Sequence, residues 1–116
     1  KNKDIPLYGD GLQTRTFCFV DDNVDACVAA FENDQFVNDT INIGNDHEVT
    51  IKQLAEIIID VTNSKSKIIH LLPLEEGDMK KRKPDITLMK TILGRDLLPL
   101  RDGIKYLIEN GLALYD

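Results

Sequence analysis

A single arginine, Arg15, stands between a glycine-rich turn, Gly9-Asp10-Gly11, and a run of β-forming residues. A guanidinium in that position has the planar fork that grips two phosphate oxygens together. The competing assignment is an ordinary surface or ion-paired arginine, the commoner state of this residue type. The one dense basic run, Lys80-Lys81-Arg82-Lys83, is either a solvated loop or a second phosphate clamp stiffened by Pro84. Asp85 behind it caps a helix or accepts from a ribose or sugar hydroxyl. Asn42, just ahead of Gly44, offers an amide to a ligand or forms a turn. Tyr8 either contacts a ligand or packs on its own strand.

Catalytic machinery is not visible. The chain has no glycine-rich cofactor loop leading from a strand into a helix, no Tyr-x-x-x-Lys pair and no G-x-S-x-G elbow. Asp21 and Asp22 are better explained as helix caps than as an acid/base pair. His47 and His70 lack the matched spacing of metal ligands, so no metal site is expected. Cys18 and Cys27 lie among apolar neighbours and read as two buried thiols.

The 116 residues amount to a single domain, 1–116, with one modest core. With no Trp and few aromatics, that core must be aliphatic. A net charge of −6 argues against nucleic-acid and anionic-membrane partners, both of which need a basic surface. No apolar run reaches the ~18 residues of a membrane span, and no signal peptide is evident, so a cytoplasmic location is expected. The missing initiator Met suggests a piece of something longer.

The elements that must position these side chains follow from pattern. Ile5–Tyr8 reads as an edge strand, 9–11 as a turn and Thr16–Val20 as a strand. Asp21 or Asp22 then opens a helix to about Glu32, with Val24, Cys27, Val28 and Phe31 as its inward stripe. Thr40–Ile43 reads as a strand. Thr50 and Gln53 have capping-box spacing ahead of a helix carrying Leu54, Ile57, Ile58 and Val61. Lys67–Leu72 reads as a strand and Glu75–Lys83 as an exposed loop. Asp85 caps a helix through Leu93, stopped by Gly94, and a last helix runs from Leu100 to Asn110. The expected class is mixed α/β (α+β), about four helices with short strands. Strands so few and short make a marginal sheet unless another domain extends it.

Four stretches, in order, resemble the C-terminal, substrate-binding portion of extended short-chain dehydrogenases acting on nucleotide sugars. They are LYGDGLQTRTFCFVDD from Leu7, INIGNDHEVTIKQLAEII from Ile41, KRKPDI from Lys81 and LMKTILG from Leu88. The nearest subgroup is the UDP-glucuronate decarboxylases. The resemblance implies that Arg15 and Arg82 bind the diphosphate of a UDP-sugar. It places Tyr8 and Gln13 by the nucleoside or phosphate, and Asn42 and Asp85 at the border of the nucleotide pocket. It implies NAD as cofactor, bound by an N-terminal Rossmann half outside this chain, with the catalytic Tyr, Lys and Ser or Thr there too. That half would be the chain's partner, and a homodimer is a further implication. One departure stands out: where the family commonly has Trp after Leu93-Gly94, Arg95 opens a shortened Asp96-Leu97-Leu98-Pro99 connection. The rival assignment is a free-standing, non-catalytic nucleotide-sugar-binding or protein-interaction module.

Overall fold

The computed structural model describes residues 2–74 and 79–111. In chain order these form β1 (Ile5–Tyr8), β2 (Thr14–Thr16), α1 (Val20–Glu32), a 3-10 turn (Asp34–Phe36), β3 (Glu48–Thr50), α2 (Ile51–Thr62), β4 (Ile68–Leu71), α3 (Thr87–Leu93) and α4 (Leu100–Glu109). The expected mixed α/β class with four helices and short strands is what forms. Among the described residues no helix is long and apolar enough to cross a membrane. The chain divides into two compact units, residues 1–15, 49–82 and 101–116 in one, 16–48 and 83–100 in the other.

In the first unit β1 pairs in parallel with β4, in the register Ile5 with Ile68 through Tyr8 with Leu71. The amides of Ile5 and Gly9 donate to Lys67 and Leu71. Donors therefore fall on odd-numbered residues, and Pro6 sits where none is needed. β2 pairs with β3. The expected capping box is present: Thr50 Oγ1 accepts from the Gln53 amide and Gln53 Oε1 from the Thr50 amide. On α4, Arg101 forms an ion pair with Asp60 of α2.

Gly11 is buried, with φ +71°. A Cβ added there would lie 3.0 Å from Leu7 Cδ1 and 3.3 Å from Lys52 Cβ. Gly11→Ala should therefore cost about 1–2 kcal/mol from backbone strain alone. Urea denaturation checks this, and a neutral result would mean the turn relaxes out of the left-handed region.

In the second unit Ala26 of α1 meets Ile86 and Met89, and Cys18, Ile41, Ile43, Leu93 and Leu97 pack around them. Here several sequence expectations change. Of the expected strand Thr16–Val20 only Thr16 is in a strand, as the last residue of β2; the Phe17 carbonyl accepts from Asn45 Nδ2 at 3.0 Å and Val20 already belongs to α1. The residue capping α1 is Phe19, without a side-chain cap, so neither Asp21 nor Asp22 caps. Asp22 is turned inward instead.

The inward stripe is also reversed: Val24, Val28, Phe31 and Cys27 are exposed, while Asp22 and Ala26 are buried. Small residues allow α1 close approach to α3, which the larger ones would prevent. Thr40–Ile43 keeps strand alternation, with Ile41 and Ile43 half-buried and Asn42 outward, yet it has no ladder partner. α3 starts one residue late, after Ile86, but Asp85 Oδ1 still accepts from the Thr87 amide at 3.0 Å. Of the expected 75–83 loop, 75–78 fall outside the described residues, and 79–83 are exposed.

Candidate functional site

Tyr8 ends β1, and the chain then turns at Gly9, whose φ of +67° is open to glycine at little cost. Three interactions fix the turn. Asp10 Oδ1 accepts from the Leu12 amide at 2.9 Å, His70 Nδ1 lies 2.8 Å from the Gly9 carbonyl, and the Lys52 amide donates to the Gly11 carbonyl at 3.0 Å. The first-turn amides of Ile51 and Lys52 in α2 are thus satisfied by the Gln13 and Gly11 carbonyls.

The turn forms one wall of a cleft of about 370 Å³, lined by Tyr8, Gly9, Asp10, Leu12 and Gln13 on one side and Pro73, Leu74 and Lys80 on the other. Gln13 Nε2 reaches the Tyr8 carbonyl at 3.5 Å, so these two predicted residues are neighbours. Arg15, half-buried in β2, donates from Nη1 to the carbonyls of Thr14 (2.7 Å) and Met79 (2.6 Å). The Thr14 amide bonds to the Lys80 carbonyl. Arg15 thereby anchors the segment that supplies Lys80 to the cleft, a job its spacing did not reveal. Arg82, further along that segment, is exposed.

The other two predicted residues fall in the second unit and meet each other. Asn42 Nδ2 donates to the Asp85 carbonyl at 3.2 Å. The Asp85 carboxylate accepts from the Thr87 hydroxyl (2.7 Å) and amide, and these bonds hold it below the usual carboxylate range. Asp46 is held low in the same way by Lys90. Burial, helped by Asp22, pushes the Cys18 thiol up and leaves it a poor nucleophile at neutral pH. Cys27, expected to be buried, is exposed.

Asp10, Leu12, Pro73 and Leu74 are cleft residues that sequence reasoning did not place in a site, whereas Lys80 comes from the basic run read as a loop or a phosphate clamp. The signal available for them was that two glycine-punctuated or proline-punctuated strand ends, at Tyr8 and Leu72, would lie side by side if β1 and β4 paired. Among the described residues no group of three or more His, Cys, Asp or Glu could hold a metal ion.

Residues 1–44 match the NAD dependent epimerase/dehydratase family. Solved structures agree with that class. UDP-glucose 4-epimerase from Thermotoga maritima superposes with a TM-score of 0.82 at 29% identity, over 96% of this chain and 35% of its own. The UDP-glucuronic acid 4-epimerase of Bacillus cereus, in complex with UDP-glucuronic acid and NAD, gives 0.79 at 27% identity, over 96% and 36%.

The chain is homologous to members of the NAD dependent epimerase/dehydratase family. Among curated proteins it is 43% identical, over 75% of its length, to a UDP-N-acetyl-alpha-D-glucosaminuronate decarboxylase of Bacillus cytotoxicus. It is 34% identical, over 95% of its length, to UDP-glucuronic acid decarboxylase 4 of Arabidopsis thaliana. It spans only 28% and 24% of those two proteins.

The described residues do not fit NAD. The closest approach to a dinucleotide loop, Gly9-Asp10-Gly11-Leu12-Gln13-Thr14, follows strand β1 but runs into strand β2. The loop therefore does not open a helix, and the first-turn amides of α2 beside it are taken by the Gly11 and Gln13 carbonyls.

Proposed function

We propose that this chain is the nucleotide-sugar-binding portion of an NAD-dependent decarboxylase, with a UDP-linked uronic acid as substrate, and that it does not turn over substrate alone. The observation carrying this reading is the cleft beside the Gly9–Gly11 turn. It presents an aromatic ring and an amide (Tyr8, Gln13) from the segment matching the family, and an ammonium (Lys80) from outside that segment. That combination suits a ring with polar edges and a negative charge. The identity to uronic acid decarboxylases supports decarboxylation over dehydration or epimerisation.

Each residue has a stated part in binding. Lys80 and the exposed Arg82 supply charge to the diphosphate. Arg15 holds their segment in place and adds its own charge. Tyr8 and Gln13 border the nucleoside, while Asn42 and Asp85 supply polar edges in the second unit. NAD would accept and return hydride in the whole enzyme, and the residues that hold it belong to another part of that enzyme.

The test is titration of UDP, with NAD-dependent turnover assayed in parallel, on the purified chain and on the natural gene product containing it. The chain alone should bind UDP weakly and show no conversion. In the whole enzyme Arg15→Ala should cost about 1.5–3 kcal/mol of UDP-sugar binding, roughly 10- to 150-fold in Kd. NAD-dependent conversion by the isolated chain would overturn the reading, and an unchanged Kd would remove Arg15 from the site.

A further inference from the structure

The two walls of the cleft grow from neighbouring strand ends. Tyr8, the last residue of β1, lies opposite Leu71, the last of β4. Beyond that pair one chain turns through Gly9, Asp10 and Leu12, the other runs on to Pro73 and Leu74, and all five line the cleft. Whatever ties the chains where they part therefore sets the gap between the walls. Gly9 is held to β4 through both of its backbone groups: its amide donates to the Leu71 carbonyl at 3.1 Å, and its carbonyl lies 2.8 Å from His70 Nδ1.

The second of these bonds is not part of the strand ladder. His70 is level with Leu7, and its ring leans along the strand to reach Gly9, two residues further on. A carbonyl can only accept, so Nδ1 carries the proton. Glycine at φ +67° has no Cβ to restrict its next rotation, and among the described residues His70 is the one side chain bonded to that carbonyl. The far end of the turn is fixed separately, by Asp10 on the Leu12 amide and by the Lys52 amide on the Gly11 carbonyl. The near end depends on His70, a residue with no part in the binding roles given above.

We propose that His70 is a positioning residue for the nucleotide: its Nδ1–H, bonded to the Gly9 carbonyl, holds the Tyr8–Gly11 wall at the distance the ligand needs. This rests on the reading of the cleft as the UDP-sugar site. Without the tie the ligand must itself order the turn, and that cost is subtracted from its affinity. His70 is exposed, so water competes for the bond and the loss is modest.

Two variants of the natural gene product test this. His70→Phe keeps a ring and a strand-forming residue but has no donor, whereas His70→Asn brings an amide nitrogen near the place of Nδ1. The phenylalanine variant should raise the Kd for UDP and the KM for a UDP-linked uronic acid about three- to tenfold, with kcat and the melting temperature unchanged. Asparagine should stay within about twofold of wild type. In hydrogen exchange on the same samples, the Gly9 and Leu12 amides should lose protection with phenylalanine and keep it with asparagine. An unchanged Kd in the phenylalanine variant would overturn the proposal. So would asparagine binding no better than phenylalanine, because the donor would then be irrelevant. A loss of affinity that tracks a fall in melting temperature would overturn it too, by reducing His70 to a folding role. Wild-type protein that fails to bind UDP, while phenylalanine still frees both amides, defeats the UDP reading and supports the tie. UDP binding with Kd and amides indifferent to both variants defeats only the part given to His70.

Discussion

Met89→Ala is expected to destabilise the chain by about 2–5 kcal/mol, the range for emptying a fully buried large side chain. Met89 is 0% exposed and, with Ile86 and Ala26, makes the buried centre of the second unit. Its sulfur also lies 3.3 Å from the Gly44 amide, so truncation leaves both a void and a backbone donor without its acceptor. Met89→Leu keeps the volume and should cost less than about 1.5 kcal/mol. The urea midpoint should fall steeply for alanine and slightly for leucine. Equal, small effects would place the core elsewhere.

The parts of the fold legible in the sequence were those fixed by local chemistry. The Thr50–Gln53 capping box, the left-handed glycines at 9, 11 and 94, and the strand character of β1 and β4 taken separately all follow from residues within a few positions of one another. The errors sit where a distant partner decides. Val20 has strand propensity, but the Asn45 side chain occupies the carbonyl that a strand at 17 would have used. Ile41 and Ile43 alternate correctly, and only the absence of a neighbouring strand stops them forming a ladder. The stripe of α1 was read as inward because hydrophobicity marks a face to be covered without saying which layer covers it.

The candidate residues divide for the same reason. Tyr8 and Gln13 adjoin because the turn between them is local, and Asn42 meets Asp85 through a contact that spacing cannot forecast. Arg15 has the guanidinium expected of a phosphate clamp, yet the carbonyl of Met79, 64 residues away, takes part of its bonding capacity. Arg15 does not line the cleft itself; its Nη1 holds the backbone of the segment that supplies Lys80. Substitution will therefore affect both binding and the order of the 79–80 segment, and the lysine variant, with charge but no fork, separates them.

Asp22→Ala should cost about 2–4 kcal/mol, because two hydrogen bonds converge on a carboxylate that is 2% exposed. Oδ1 accepts from Arg95 Nη1 at 2.5 Å and Oδ2 from the Leu98 amide at 2.8 Å. Together they fasten α1 to the connection after α3. Arg95 also donates through Nη2 to Asp25 at 2.6 Å, but Asp25 is 56% exposed, so water competes and Asp25→Ala should change little. This arrangement gives Arg95, the residue that opens the short connection after Leu93-Gly94, a structural role: it turns back to a buried acid. Asp22→Asn, which keeps the shape and one acceptor, should fall between wild type and alanine. A double-mutant cycle of Asp22→Ala with Arg95→Ala should show coupling, since each removes the other's partner. Purely additive losses, or equal losses for Asp22→Ala and Asp25→Ala, would show that the Leu98 turn is held by packing and not by the buried carboxylate.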